Sequence, residues 1–335
     1  MIAPRIDFSI VIPTRNRTKD LLNCLEGIAQ LEYPTDRFEV IVVDDGGSVA
    51  LDELLTRFRP RLAVSLFLQP HLGPAAARNL GASHARGKYL VFTDDDCWPD
   101  PAWLSRLQTV FSESPDIAVG GLTVNALEGN IYSEASQMLI LFLCGYFNRD
   151  PDDSVFLTSS NLSFPTERFR QLGGFSTQFA SAGGEDRELC DRWRHAGLRM
   201  RYRPDVLVKH SHALTFAQFW RQHRNYGQGA YHFHRMRHAR SGRRLQIEPL
   251  AFYSGMLRFP FGETPTFRAI AISPLFAVSQ LANATGFFRE KFRFEYGKRL
   301  KVPVTPRATS RDAGPAGVAP ITRADLRDSS RASAP

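Results

Sequence analysis

Three consecutive carboxylates, Asp94-Asp95-Asp96, follow directly on the largely apolar run Lys88-Tyr89-Leu90-Val91-Phe92-Thr93. Like charges at the mouth of a buried strand destabilise one another unless a cation neutralises them. Carboxylate oxygens are the hard ligands that Mg²⁺ or Mn²⁺ prefers, and such sites borrow further ligands from substrate phosphates. An acidic surface turn after a strand is the plainer alternative. Two more polar clusters stand in comparable places: Pro13-Thr14-Arg15-Asn16 after Phe8–Ile12, and Asp44-Asp45 after Phe38–Val43. For the aspartates, turn formation ahead of Gly46-Gly47 is the plainer alternative. Further along, Glu185-Asp186 follows the flexible Ser181-Ala182-Gly183-Gly184. An acid there caps a helix N-terminus, and a catalytic role is compatible with that. His210 and His212 are two apart on a strand-like segment, which puts both on one face; solvated histidines are the plainer alternative.

The elements that must position these groups alternate regularly in the first third. Strands are expected at Phe8–Ile12, Phe38–Val43, Leu62–Leu68 and Tyr89–Thr93, with helices at Thr18–Gln30, Leu51–Phe58 and Gly73–Ala85 between them. Strand, helix, strand at this spacing predicts a mostly parallel sheet flanked by helices, with right-handed crossovers. Ligands of such sheets bind outside the carboxyl ends of the strands, where the three polar clusters stand. The middle is less regular. A helix is expected at Pro101–Phe111, a short strand at Ile117–Gly121, a strand at Val155–Phe164, and a helix at Glu185–His195. Two short strands are expected at Met200–Tyr202 and Val206–Lys209. A helix then spans Thr215 to Arg240, and two or three helices cover Leu250–Arg293. After Val302 the chain is too rich in Pro, Ala, Ser, Arg and Asp to bury much apolar surface, and 302–335 is expected as a disordered tail.

The 335 residues suffice for one large α/β domain or two smaller ones. The net charge is +8, with much of the basic excess between Arg187 and Arg244. That suits phosphate groups or an anionic membrane surface. Nucleic acid as a partner is not supported, since no helix-turn-helix, zinc-finger or RNP-like pattern is present. Cys24, Cys97, Cys144 and Cys190 form no CxxC pair, which argues against a disulfide framework and fits a reducing, cytoplasmic location. Residues 1–7 lack the form of a signal peptide. No uninterrupted apolar run reaches the ~18 residues of a spanning helix. The runs Met138–Phe147 and Ala269–Ala282 come closest and read as core helices, the second able instead to lie flat on a membrane.

Five segments in order complete the set: Ser9-Ile-Val-Ile-Pro-Thr-Arg-Asn16, Val42-Val-Asp-Asp-Gly-Gly-Ser48, Gly73-Pro-Ala-Ala-Ala-Arg-Asn79, Phe92-Thr-Asp-Asp-Asp96 and Gly183-Gly-Glu-Asp-Arg-Glu-Leu189. With them the chain resembles the family 2 glycosyltransferases, inverting enzymes of GT-A fold that use nucleotide-sugar donors. The resemblance runs from about Ser9 to His212. It implies a catalytic domain over 1–212, with a nucleotide half at about 1–100 and an acceptor half at about 101–212. A helical region over 213–301 follows, able to contact acceptor or membrane. Pro13, Thr14 and Arg15 are then expected to border the nucleotide, and Asp45 to accept an N–H from the base. Arg78 is expected at the base or diphosphate, or merely against a surface acid. Asp94 and Asp96 match the two acids of the family's DxD motif, with Asp96 in direct contact with Mn²⁺ or Mg²⁺ and Asp95 reaching the ribose. His210 or His212 is expected near the metal or diphosphate. Asp186 is the expected general base and Glu185 is expected to orient the acceptor.

Ser176 stands where relatives often carry an Asp after Gly-Gly-Phe, and Gln222-His223-Arg224-Asn225-Tyr226 only loosely echoes the Gln-x-x-Arg-Trp motif of processive synthases. A non-processive transferase is expected, moving one sugar at a time, with a lean to UDP donors. The acceptor is expected to be a glycan, glycolipid or lipid-linked intermediate, and peripheral membrane contact is expected through 215–293. A nucleotidyltransferase or a dinucleotide-binding dehydrogenase would carry a Gly-rich loop near the first strand, and Pro13–Arg17 has no glycine. A non-catalytic sugar-nucleotide binder would not need both Asp96 and Asp186.

Overall fold

The computed structural model describes residues 6–179 and 183–300, without the side chains of 296–300. The tail expected at 302–335 lies outside the described residues, as do Ser181 and Ala182.

The first half alternates as its apolar pattern requires. Strands β1 (Phe8–Thr14), β2 (Phe38–Asp45), β3 (Val64–Gln69) and β4 (Tyr89–Phe92) are joined by helices α1 (Thr18–Ile28), α2 (Asp52–Thr56) and α3 (Pro74–His84). There follow β5 (Cys97–Pro99), α4 (Trp103–Glu113), β6 (Ala118–Asn125), α5 (Ile131–Phe147), β7 (Leu162–Pro165), α6 (Thr166–Gln171), α7 (Glu185–His195) and β8 (Met200–His210). The chain then turns helical, with α8 (Phe216–Ser241), α9 (Leu250–Arg258), α10 (Pro260–Glu263) and α11 (Thr266–Leu300).

One sheet runs in the order β3-β2-β1-β4-β7-β6-β8-β5. The pairs β1–β2, β2–β3, β1–β4 and β6–β8 are parallel, whereas β4–β7, β6–β7 and β5–β8 are antiparallel. Strand β1 is buried along its whole length, and its period of two divides its side chains between two cores. Ile10 and Ile12 face Leu21 and Leu25 of α1 and Trp103 and Leu107 of α4. Val11 faces Ala77 of α3 and Leu189 and Trp193 of α7. A third core joins α5, α8, α9 and α11 through Leu139, Phe142, Phe219, Phe252, Met256, Ile272 and Phe276. The sheet order reverses at β1, with β2 on one side and β4 on the other. A crevice therefore opens at the carboxyl ends of β1 and β4, where open α/β sheets bind ligands.

Several expectations need adjustment. The strand expected at Val155–Phe164 is only Leu162–Pro165, because Ser159–Asn161 winds into a 3₁₀ turn. The two short strands expected around 200–209 are one strand with a bulge. Gly121 pairs with Arg203 but Leu122 pairs with Leu207, so Pro204, Asp205 and Val206 drop out of the ladder. Proline has no N–H to donate, and a bulge is where a sheet tolerates it. Strand β5 is too short to signal itself in the sequence. The expectation that no segment is long and apolar enough to cross a membrane is also corrected. By length and composition Thr266–Glu295 of α11 is such a helix, because isolated polar residues such as Ser273 and Gln280 interrupt the run without lowering its mean hydropathy enough. One side of it is nonetheless core: Ala269, Ile272, Phe276 and Ala282 are fully buried.

Candidate active site

The crevice at the carboxyl ends of β1 and β4 holds a cleft of about 490 Å³. Its floor is the acidic run. Asp95 and Asp96 are 3% and 5% exposed, so their charges must be met from within the protein. Thr14, at the end of β1, donates its hydroxyl to Asp95 Oδ2 at 2.7 Å across the switch point. Arg17 meets both acids, with Nη1 2.8 Å from Asp95 Oδ1 and Nη2 2.6 Å from Asp96 Oδ2. Burial nevertheless pushes Asp95 up to about 7, against the pull of Arg17.

Asp96 is held differently. Its backbone carbonyl accepts from Ser211 N at 2.8 Å, and Cys97 pairs with His210 where β5 meets β8. This short antiparallel ladder brings β8 and the residues after it to the acidic run. His212 Nδ1 lies 2.9 Å from Asp96 Oδ2, and His210 Nε2 lies 3.1 Å from Oδ1 without hydrogen-bond alignment. Burial would raise the Asp96 carboxyl, but His210, His212 and Arg17 outweigh it and hold it well below the usual carboxylate range. The reciprocal effect raises His210, with Asp96 overcoming the opposing effect of burial.

A divalent cation fits here. Asp96 Oδ1 is buried with no hydrogen-bond partner, and ligand atoms of Asp96, His210 and His212 lie within 4.8 Å of one another. Asp94 and Asp96 also group with Cys97. Carboxylate and imidazole together suit first-row divalent ions.

Arg78 of α3 connects this cluster to the Glu185-Asp186 segment. It is 3% exposed, with Nη2 2.7 Å from Asp94 Oδ1 and Nη1 3.1 Å from Glu185 Oε1. Its partners are thus two acids at the site rather than a surface acid. Glu185 also accepts from Gly183 N at 2.7 Å. Asp186 turns the other way: Oδ1 accepts from Arg187 N at 2.7 Å and Oδ2 from Ser159 N at 3.4 Å. Burial, and then Glu185, push Asp186 up to about 6. Neither Glu185 nor Asp186 lines the cleft, whose wall at this point is Arg78 and Tyr226. Gly183 and Gly184 have φ of +134° and +99°. A Cβ on Gly183 would stand 2.7 Å from the Tyr226 ring, so the loop before α7 is pressed directly against α8.

On the opposite side, Pro13, Arg15 and Asp45 line the cleft with His71. Arg15 contacts His71 Nε2 at 3.2 Å and the Gly46 carbonyl at 3.5 Å. Asp45 accepts from Gln69 Nε2 at 2.6 Å, from Leu72 N at 2.8 Å and from Gly73 N at 2.9 Å, and its Oδ2 lies 2.8 Å from His71 Nδ1. These contacts outweigh burial and lower its pKa. Asp45 therefore already secures the loop at 69–73, and a base N–H would have to replace one of these contacts, the partly exposed His71 first. Asp44 accepts from Gly47 N at 2.8 Å, which is the turn role.

Residues 9–191, just over half of the chain, match the sequence profile described as Glycosyl transferase family 2. The chain belongs to glycosyl transferase family 2. It is 29% identical over 231 residues to the pre-mycofactocin glycosyltransferase of Mycobacterium tuberculosis, covering 67% of this chain and 47% of that one. It is 25% identical to the glycosyltransferase AglE of Haloferax volcanii, covering 66% of this chain and 72% of that one. The chain thus spans about half the length of the mycobacterial relative. Among solved structures it is similar to the mannosyltransferase PcManGT of Pyrobaculum calidifontis, in complex with GDP-Man and Mn²⁺, with a TM-score of 0.56 and 20% identity over 88% of this chain and 80% of that one. It is also similar to residues 1–349 of S. aureus TarS in complex with UDP, with a TM-score of 0.51 and 16% identity over 87% of this chain and 92% of that one. At these identities the likeness establishes the fold, which is of the GT-A type.

The five motifs of this family 2 chain did not point to Arg17, His71 or the polar face of α8. Gln218, Arg221, Gln222, Asn225 and Tyr226 all line the cleft. Their spacing of three and four is one face of a helix and was legible as such; which way that face pointed was not. Arg17 carried no signal beyond lying three residues after Thr14.

Proposed function

We propose that this family 2 chain transfers one glycosyl group, with inversion, from a nucleotide-sugar to a hydroxyl of a glycan or lipid-linked acceptor. The observation that carries this reading is the convergence of Asp96, His210 and His212 in a cleft whose Arg78 leads directly to the Glu185-Asp186 pair. Asp96, Asp94, His210 and His212 would hold a divalent cation, which when bound supplies charge neutralisation to the leaving diphosphate. Pro13, Thr14, Arg15 and Asp45 border the nucleotide, with UDP the favoured base carrier, and Asp95 faces the ribose. The acceptor oxygen bonds to the anomeric carbon as the bond from that carbon to the diphosphate oxygen breaks. The hydroxyl proton passes to Asp186 Oδ2, whose one hydrogen bond is the long 3.4 Å contact from Ser159 N, and which must turn past the Arg78–Tyr226 wall to meet the acceptor, since it does not line the cleft here. A carboxyl held near 6 is ionised at neutral pH and basic enough to accept it. Glu185, fixed by Arg78 and Gly183 N, keeps that loop in register with the cleft.

Peripheral contact with the cytoplasmic face of a membrane belongs to the same reading. Of the fourteen large apolar residues that stand exposed among the described residues, ten lie between Leu245 and Phe292. On α11 the exposed Phe267, Ile270, Leu281 and Phe288 lie on the side away from the buried Ala269, Ile272 and Phe276. Arg258, Arg268, Arg289 and Lys291 share this region, and apolar surface combined with basic charge suits anionic lipid.

The test is a panel of nucleotide-sugars with Mn²⁺, scored by release of free nucleotide. Turnover of one donor with an inverted product is expected. No release from any donor, together with no binding of any nucleoside diphosphate, would overturn the reading.

A further inference from the structure

Arg187 is the third residue of α7, directly after Asp186. A cation in the first turn faces the positive end of the helix dipole and is disfavoured there. Its guanidinium nevertheless lies part-buried between two rings. The guanidinium carbon is 4.5 Å from the centre of Phe233 on α8 and 5.6 Å from that of Phe147 on α5. Arg237, one turn further along α8, stands over the same Phe233 ring at 5.7 Å. Two guanidinium groups thus converge on one buried ring.

The acids nearby are already taken. Glu188 is held by Arg192 and Arg240, and Asp191 by Arg240 at 2.5 Å. Arg237 Nε lies 3.4 Å from Asp191 Oδ1, without hydrogen-bond alignment. Glu248 accepts the Tyr146 hydroxyl at 3.2 Å, and Asp186 is engaged by backbone N–H groups. No ion pair reaches Arg187 among the described residues. The excess positive potential shows in the neighbours. Burial, and then Arg237, pull Arg187 below the ordinary arginine range, outweighing the opposing pull of Asp186, Glu248 and Asp191, none of which is paired with it. Burial, and then Arg187 and Arg237, bring His234 down to about 4. A buried cation without an anion is costly, and ring faces offset only part of that cost. Paired guanidinium forks are the side chains best matched to phosphate oxygens.

We propose that Arg187 and Arg237 form a binding site for a phosphate group, serving the acceptor of the transfer proposed above and to that extent resting on that reading. Neither residue lines the donor cleft. A phosphate held at Arg187, the next residue after Asp186 on α7, would bring its carrier up beside the proposed base. The same chemistry would also hold free phosphate, so the two sources are separated by experiment.

The full chain is first saturated with UDP and Mn²⁺, which fills the donor cleft, and is then titrated calorimetrically with inorganic phosphate in one arm and n-octyl phosphate in the other. At least one probe is expected to bind, and Arg187→Met and Arg237→Met should each weaken it tenfold or more while leaving affinity for UDP and Mn²⁺ unchanged. Tighter binding of octyl phosphate assigns the phosphate to an acceptor with an apolar chain; equal binding assigns the site to phosphate itself. The site is overturned if neither probe binds the wild type, or if Arg187→Met binds them as the wild type does. Thermal melting supplies a second readout. Relief of an unneutralised guanidinium predicts an unchanged or higher Tm for Arg187→Met without phosphate, and a rise in Tm on adding phosphate to the wild type alone. A lower Tm in the variant with no phosphate effect in the wild type would make Arg187 a stacking residue and overturn the site. Failure of the wild type to bind UDP and Mn²⁺ would sink the donor reading instead, and the phosphate arms run without nucleotide would still test Arg187.

Discussion

The guanidinium of Arg17 lies against the carboxylate of Asp96, with Nη2 2.6 Å from Oδ2. The same group reaches Asp95 at 2.8 Å and Asp20 at 3.1 Å. Arg17 is therefore the resident counter-ion of an acidic run that would otherwise repel itself. It also lines the cleft, beside the carboxylates best suited to a cation.

Arg17→Met should destabilise the metal-free protein by about 1–3 kcal/mol, between the values for exposed and buried pairs because the side chain is about a third exposed. It should also tighten Mn²⁺ binding, since a competing positive charge is gone. Asp96→Asn should also destabilise the metal-free protein, since Arg17, His210 and His212 lose the carboxylate they share, and it should abolish Mn²⁺ binding. Urea denaturation and electron paramagnetic titration of Mn²⁺ check both variants. Unchanged Mn²⁺ affinity in Asp96→Asn would remove Asp96 from the ligand set.

Asp186→Asn should lower turnover by ~10²–10⁴ while nucleotide affinity holds, because the variant keeps the shape but cannot take the proton. Wild-type turnover should rise with pH through about 6, as the carboxyl ionises. The stability effect has the opposite sign. A carboxyl raised in the fold holds its proton more tightly there than in the unfolded chain, so its contribution falls as pH rises from about 4 to about 6. His223 and His234, both brought down to about 4, act the other way between about 4 and the ordinary histidine range near 6.5. The readout is therefore the difference in Tm between wild type and Asp186→Asn. That difference should move against the wild type across the pH 4–6 window, and a flat difference would contradict the raised pKa.

Gly227→Ala tests whether α8 is a wall set from behind. A Cβ on Gly227 would stand 1.9 Å from the Asn283 carbonyl of α11, and one on Gly286 equally close to the Arg224 carbonyl of α8. Two backbones in contact cannot admit a methyl group without moving. About 1–3 kcal/mol of destabilisation is expected, the usual cost of overpacking. Weaker UDP binding should accompany it, since Gln222, Asn225 and Tyr226 move with the helix. Urea denaturation and calorimetry measure the two effects.

Ile270→Glu with Leu281→Glu tests the membrane face. Both residues are 61% exposed, so stability should change by no more than about 0.5 kcal/mol each. Flotation with anionic liposomes at low salt should fall from clear co-migration to background. Co-migration equal to the wild type would show that this stripe is not the contact.

The sequence determined by itself that β1, β2 and β4 are buried parallel strands, and that polar groups sit at their carboxyl ends. Those facts follow from short, nearly continuous apolar runs alternating with helical segments, and from where each run stops. It also located the acidic run and the Glu185-Asp186 pair, because their motifs are contiguous. Tertiary structure alone decided which of these groups meet. His210 and His212 reach Asp96 through a three-residue strand, β5, too short to carry a period of its own. Arg78, which also holds Asp94, reaches Glu185 across 107 residues of sequence, a bridge that depends on how α3 and α7 pack on one face of the sheet. The Arg17 pairing with Asp96, 79 residues away, has the same origin. The polar face of α8 is periodic in sequence, but its direction was fixed only by packing, with α11 closing on Gly227 from behind, the Gly183-Gly184 loop closing on Gly229, and Phe219 seated against α5. Local pattern sets what a segment is; long-range packing, which no local pattern encodes, sets what its side chains face.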